Sequence, residues 1–398
     1  MLDKEAEYHE KLIKAFTPNQ PIDLPEFLAG RSIILYKALD AAKTSGLHMI
    51  LFGERGTGKT SIAKVLARML QEPARPDGCR TVFVQCNSSD SYSSIWRKII
   101  QAILLKQSQL GFLHQEIATI RGKLSIDSPI TDPNDARIAI QSLTNPTIII
   151  IDEFDRVPLN NNARTLMADT IKLFSDSNTD CKLVLVGVAE SITELISEHQ
   201  SIARNMLQIL VETMTIEELA QIIQKGLKYV GLRYENDLDK RIAYLSQGYP
   251  HYTHLLGLWA ARHAIAEGRD EVMLQDINQA IVDALENTIG SVRQEYELAI
   301  ASVKKKALYK DVLLACAVAS KDSLGRFSLV DVRSPLRQVT GRDYNTGAYQ
   351  AHLAALCTVE RGQILKRSGK PKNYRWKFVN PQLITYVRLQ GVKDGRIS

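Results

Sequence analysis

Several things are scarce in this sequence, and each scarcity excludes something. No apolar run approaches the roughly 18 residues of a membrane-spanning helix, so no membrane partner is expected. Cysteine is rare, with five residues among 398 at Cys79, Cys86, Cys181, Cys316 and Cys357. Their number is odd and no two form C-x-x-C, which favours free thiols in a reducing compartment over disulfides or zinc. The first residues, Met1-Leu2-Asp3-Lys4-Glu5-Ala6-Glu7, are charged and lack the apolar segment of a signal peptide. A cytoplasmic location is the expectation.

What is present describes a soluble globular chain, with 45% apolar and 24% charged residues. Its length suggests about two to three domains. The net charge of +6 is unevenly spread. From Ala301 to Ser398 there are 19 Lys and Arg against 6 Asp and Glu, leaving 31 against 38 in the rest. A basic end on an acidic body points to a polyanion met by residues 301–398, or to a merely solvated basic face.

One stretch organises the chain: His48-Met49-Ile50-Leu51-Phe52-Gly53-Glu54-Arg55-Gly56-Thr57-Gly58-Lys59-Thr60-Ser61. It reads as a buried strand, a glycine-rich turn and the first turn of a helix. Gly53, Gly58, Lys59 and Thr60 satisfy G-x-x-x-x-G-K-[ST], with an extra glycine at Gly56. Glycines let successive backbone N–H groups curl toward phosphate oxygens, and the helix adds its positive end beneath them. Residues Gly53 to Ser61 are thus the candidate cradle for ATP. Lys59 supplies a point charge, and Thr60 supplies a hydroxyl for Mg²⁺.

Before this stretch, residues 3–15 look like an amphipathic helix containing Leu12 and Ile13, with Phe16 following. Pro18 and Pro21 then break the chain. A helix is expected over Ser32–Lys43, and Arg31 before it either touches nucleotide or caps the turn. After the loop helix, Thr81–Asn87 reads as a strand, followed by a helix over Ile95–Lys106 and another near Asp135–Leu143. Thr147-Ile148-Ile149-Ile150-Ile151 is the continuous apolar run of a strand buried on both faces. It ends in Asp152-Glu153, at the edge where open parallel sheets bind ligands. There Asp152 would hold Mg²⁺ and Glu153 would polarise an attacking water. A helix over Ala163–Ser175 and a strand over Lys182–Val188 follow. This order of elements is that of a P-loop α/β domain on a parallel sheet.

Thr215 and Glu218 form a capping box that opens a helical region lasting to about residue 300, with segments near 215–229, 236–246, 251–267 and 275–288. His251, His254 and His263 fall there without companion ligands at metal spacing. The last hundred residues begin with Lys304-Lys305-Lys306 and give helices over Leu308–Ser320, after Ser328, and over Thr346–Val359. A hairpin follows from Gln363–Arg367 and Tyr374–Val379. Alternation places Tyr374, Trp376 and Phe378 on one face and Arg375 and Lys377 on the other. Three helices and a basic hairpin outline a winged helix. The expected domains are an arm (1–24), a P-loop ATPase domain (25–213), a helical lid (214–300) and a basic winged-helix domain (301–398).

This order resembles the AAA+ ATPases, and with the winged helix it is most similar to bacterial and archaeal relatives of the Orc1/Cdc6 initiators. By that resemblance Arg204, just before the strand Leu207–Val211, matches an arginine finger reaching the γ-phosphate in a neighbouring subunit; a surface arginine is the alternative. Where the family has Gly-x-x-Arg at a lid helix, this chain has Gly248-Tyr249-Pro250-His251, so His251 would be the phosphate contact. Beyond the Lys182–Val188 strand only Ser191 or Glu190 offers a polar group. The implied protein is a slow ATPase switch that assembles as a ring or filament and binds DNA. Phosphate contacts would come from Lys366, Arg367, Lys370, Lys372, Arg375 and Lys377. Its rival is a regulatory ATPase of a defence or mobile-element system, whose winged helix binds protein and controls a separate effector; a small-metabolite kinase is a poor third.

Overall fold

The computed structural model describes residues 2–71, 80–109, 129–143, 146–189, 191–196, 204–288, 290–301, 308–322, 325–370 and 373–397. Glu190, the segment 201–203, the lysines at 304–306 and Lys372 lie outside the described residues. The chain divides into two units, residues 21–213 and residues 1–20 together with 214–398.

The 21–213 unit is built on five parallel strands: β1 (His48–Gly53), β2 (Arg80–Gln85), β3 (Thr147–Asp152), β4 (Cys181–Val188) and β5 (Met206–Leu210). Their spatial order is β2-β3-β4-β1-β5, and every pairing is parallel. Every residue of β1 and β3 is buried, as their unbroken apolar runs require of strands covered on both faces. Alternation then sorts the side chains. Ile149 and Ile151 of β3 join Trp96, Met167, Ile171 and Phe174 in one core. Ile148 and Ile150 join Met49, Leu51, Ile62 and Leu66 in the other. Because all strands run the same way, β1 and β3 deliver Gly53 and Asp152 to one edge of the sheet.

Helices α1 (Leu2–Ala15), α2 (Ser32–Lys43), α3 (Lys59–Leu70), α4 (Tyr92–Gln109), α5 (Pro133–Gln141) and α6 (Ala163–Asp176) lie where the pattern predicts, within a few residues. The α5 start is set by Asp132 and Asp135, which form a reciprocal capping box.

In the second unit, Thr215 and Glu218 cap α7 (Ile216–Val230) reciprocally, and Gly231 at φ 88° ends it. Next come α8 (Leu238–Ser246), α9 (Pro250–Ala266), α10 (Leu274–Glu286) and α11 (Gly290–Ile300). Arg233–Tyr234 (β6) and Glu271–Val272 (β7) pair as a short parallel bridge. Residues 1–20, most of the expected arm (1–24), group with this unit. Leu12, Ala15 and Phe16 are buried in it, whereas Ile13 is 49% exposed.

Toward the C-terminus come α12 (Tyr309–Val318), α13 (Leu329–Thr340, capped by Ser328), α14 (Thr346–Ala355), β8 (Leu365–Ser368) and β9 (Arg375–Phe378). The hairpin alternates as expected: Trp376 and Phe378 are buried, Arg375 is exposed and Lys377 is half-buried. Phe327 exchanges both backbone hydrogen bonds with Trp376, adding a third strand position. Helix α11 falls within the region expected to be helical to about residue 300, whereas α15 (Gln382–Lys393) was not anticipated. The α15 sequence buries Leu383, Thr385, Tyr386, Val387 and Leu389. Burial nearly all round leaves no clear 3.6-residue stripe to read.

Candidate functional site

The site grows from the end of β1. Gly53 sits at φ 144°, Gly56 at 86° and Gly58 at 92°, conformations that L side chains avoid. At Gly53 the glycine has a second cause: an added Cβ would overlap the Val211 carbonyl. At Gly58 an added Cβ would meet nothing within 4 Å. The loop therefore packs tightly at its base and faces open space where α3 begins.

Lys59 is the first residue of α3 and is buried. Its ammonium donates to the carbonyls of Gly53 at 3.0 Å and Glu54 at 2.6 Å. Burial pushes its pKa down to about 8, against the opposing pull of Asp155 and Asp152. Thr57 is turned inward, and its hydroxyl donates to Glu54 O at 3.0 Å. Ser61 accepts the backbone N–H of Ile22 at 3.1 Å, so this hydroxyl fastens the lead-in segment. Glu54 is half-buried and Arg55 exposed.

The two motifs meet at Thr60, whose hydroxyl donates to Asp152 Oδ2 at 2.9 Å. Burial raises the Asp152 pKa, and the bonds from Thr60 and from the Glu153 N–H oppose that rise. A hydroxyl and a carboxylate side by side are hard oxygen donors of the kind Mg²⁺ takes. Glu153 follows at φ 53° and pairs with Arg156 at 2.8 Å. Asp152 thus faces the helix while Glu153 stays half-exposed at the sheet edge.

Residues not singled out from the sequence hold this arrangement. Asp155 Oδ1 accepts the Val188 N–H. Arg164 donates to the carbonyls of Asp155, Val157 and Glu194. The only sequence signal for either was their closeness to the Asp152-Glu153 pair.

The remaining candidates lie elsewhere. Arg204 is exposed just before β5, and the adjacent Met206 pairs with His48, the first residue of β1. That is the strand-starting edge, so a strand of six residues, roughly 17–20 Å, separates its level from Gly53. His251 lies in the other unit. Its Nδ1–H donates to Pro18 O at 2.7 Å, while its Nε2 is buried and has no hydrogen-bond partner among the described residues. Burial lowers its pKa, against the opposing bond to Pro18. Ser191 is bonded to Thr193 at 2.9 Å. Among the described residues, no cluster of His, Cys, Asp or Glu could hold a metal by itself, and no helix is long and apolar enough to cross a membrane.

Residues 42–196 match the family model described as an AAA domain. No curated protein matches the chain. Among solved structures, the Orc1 protein of Aeropyrum pernix, in complex with DNA, is similar at 15% identity and a TM-score of 0.53, covering 95% of this chain and 96% of that one. The Orc2 protein of the same organism, in ADPNP–ADP complexes, is similar at 16% identity and a TM-score of 0.52, covering 96% of each chain. A Walker-type ATPase of Pyrococcus abyssi follows at 14% identity and a TM-score of 0.50, covering 93% of this chain and 99% of that one. Residues 42–196 thus resemble an AAA domain, and the chain has the fold of the Orc1/Cdc6-like AAA+ proteins.

Proposed function

We propose that this protein binds and hydrolyses ATP with Mg²⁺ as an AAA+ switch, assembles through its ATPase faces and engages DNA through residues 301–398. The observation that carries the reading is the meeting of Thr60 and Asp152 at 2.9 Å, with Lys59 and Glu153 adjoining them in sequence. Bound MgATP supplies the phosphoryl group that is transferred to water. Lys59 and the loop amides from Gly56 to Ser61 would hold its phosphates, and Thr60 and Asp152 its metal. Glu153 is the group that takes a proton from water.

Arg204 supports assembly, because it is exposed at the edge away from its own phosphate loop and is therefore available to another copy. DNA engagement draws on the exposed Lys366, Arg367, Lys370 and Arg375 of the hairpin, and on the likeness to a protein solved with DNA. The C-terminal helices and hairpin have the order of a winged helix, and α14 carries few base-reading side chains, so the contact is sequence-tolerant.

The test measures ATP turnover with and without duplex DNA for the wild type, Glu153→Gln and Arg204→Ala. Glu153→Gln should lower turnover roughly 10²- to 10⁴-fold. Arg204→Ala should lower it by about 10³ or more while leaving nucleotide bound. DNA affinity should fall steeply with salt, and neutralising Lys366, Arg367 and Lys370 together should reduce the log–log slope by up to about 0.9 per lost phosphate contact. A wild type without turnover rejects the ATPase, and salt-indifferent DNA binding rejects the basic hairpin as its cause.

A further inference from the structure

Arg31 follows Gly30 at the entrance to α2 and is only 6% exposed. Its guanidinium Nη2 donates to two backbone carbonyls, Thr57 at 3.2 Å and Glu212 at 2.6 Å. Thr57 lies inside the phosphate loop, 26 residues away, and Glu212 lies just past β5, 181 residues away. The same chain segment is already against the loop: the Val211 N–H donates to Phe52 O at 2.7 Å, and Gly53 leaves no room for a side chain there.

The consequence follows from peptide geometry. In a trans peptide the C=O and the next N–H point in opposite directions. Holding the Thr57 carbonyl toward Arg31 therefore aims the Gly58 N–H the other way. With glycines at Gly56 and Gly58, both at positive φ, the backbone here has little steric resistance to reorientation. A reversed Thr57–Gly58 peptide would offer a phosphate a carbonyl oxygen in place of a hydrogen-bond donor.

We propose that Arg31 is a positioning residue for nucleotide binding: it pins the Thr57–Gly58 peptide so that the Gly58 amide faces the phosphates, and it fastens that peptide to the end of β5. This rests on the reading of the loop as a nucleotide site. Arginine suits the task because the two N–H groups of Nη2 are held in the plane of a rigid guanidinium that stays charged when buried, whereas a lysine ammonium turns freely on a flexible stem.

The experiment titrates N-methylanthraniloyl-ADP with Mg²⁺ into the full-length wild type, Arg31→Ala and Arg31→Lys, with and without millimolar guanidinium. Amide hydrogen exchange is followed in the nucleotide-free proteins. Arg31→Ala should bind at least tenfold more weakly, guanidinium should recover part of the loss, and Arg31→Lys should fall between the two. Gly58 and Lys59 amides should exchange at least tenfold faster in Arg31→Lys while those of β1 and β4 are unchanged. Affinity of Arg31→Ala within threefold of the wild type overturns the proposal, as does Arg31→Lys equal to the wild type in both binding and exchange. Should Arg31→Ala not fold, the exchange comparison on Arg31→Lys decides. A wild type that does not bind the probe removes the nucleotide reading itself, whereas a binding wild type with unaffected variants removes only the role of Arg31.

Discussion

Asp155 Oδ1 accepts the backbone N–H of Val188 at 2.8 Å. The loop that carries Asp152 and Glu153 out of β3 is thereby fastened to the last residue of β4. Gly187 allows the approach, since an added Cβ would stand 3.1 Å from Asp155 N and 3.2 Å from its Oδ1. Two neighbouring strand ends thus behave as one platform beneath the site.

Asp155→Ala removes the acceptor of the exposed Val188 N–H and should cost about 0.5–1.5 kcal/mol in urea unfolding. Asp155→Asn keeps an acceptor oxygen and should recover most of that. Equal stabilities for all three proteins would show that the link contributes nothing.

Two buried histidines should make the fold acid-sensitive. His48 Nδ1 accepts the Leu183 N–H at 2.9 Å, and His254 Nδ1 accepts the Thr17 N–H at 3.4 Å. Burial pushes their pKa values down to about 3 and about 4, from 6.5. Between those values and 6.5 the unfolded chain binds more protons than the folded one. Stability is therefore full above about pH 6.5 and is lost as pH falls. Each histidine should contribute a slope of up to about 1.4 kcal/mol per pH unit. His254→Asn should flatten the curve between pH 6.5 and 4 in chemical denaturation; an unchanged slope would remove this assignment.

Phe16 is a plug in the second unit. Its ring faces Gly226 and Gly257, where added Cβ atoms would come within 2.5 and 2.7 Å. Phe16→Ala should cost about 3–5 kcal/mol through the cavity it leaves, and Gly257→Ala about 1–3 kcal/mol through overpacking. Combined, the two should cost less than their sum, because the smaller residue makes room for the methyl group. Strict additivity in a double-mutant cycle would show that the ring and the glycine do not share the space.

Much of this protein is written in short stretches of sequence. The isoleucine run at 148–151 specifies a strand with both faces covered, because no local alternative buries it so completely. The loop from Gly53 to Ser61 is legible for a similar reason: its glycines, lysine and threonine act on one another within a few residues. Thr215 with Glu218, and Ser328 with Asp331, are caps whose partners are three residues apart. Helix α15 was not legible, because burial on nearly all sides erases the amphipathic period.

The tertiary structure alone decided which distant groups share a site or a core. Arg31 reads as either a nucleotide contact or a turn cap until folding places it against Thr57 and Glu212. Ser61 reads as a phosphate contact, and only the fold shows that its hydroxyl also holds the Ile22 N–H. Helix α1 reads as an amphipathic N-terminal helix, and only the fold shows that Phe16 finds its pocket between glycines more than two hundred residues away. Local chemistry determined the elements and the phosphate loop, since neighbours in sequence are neighbours in any conformation. Long-range pairing was decided only by folding, because a side chain's sequence context carries no record of the backbone carbonyl or cavity that will meet it.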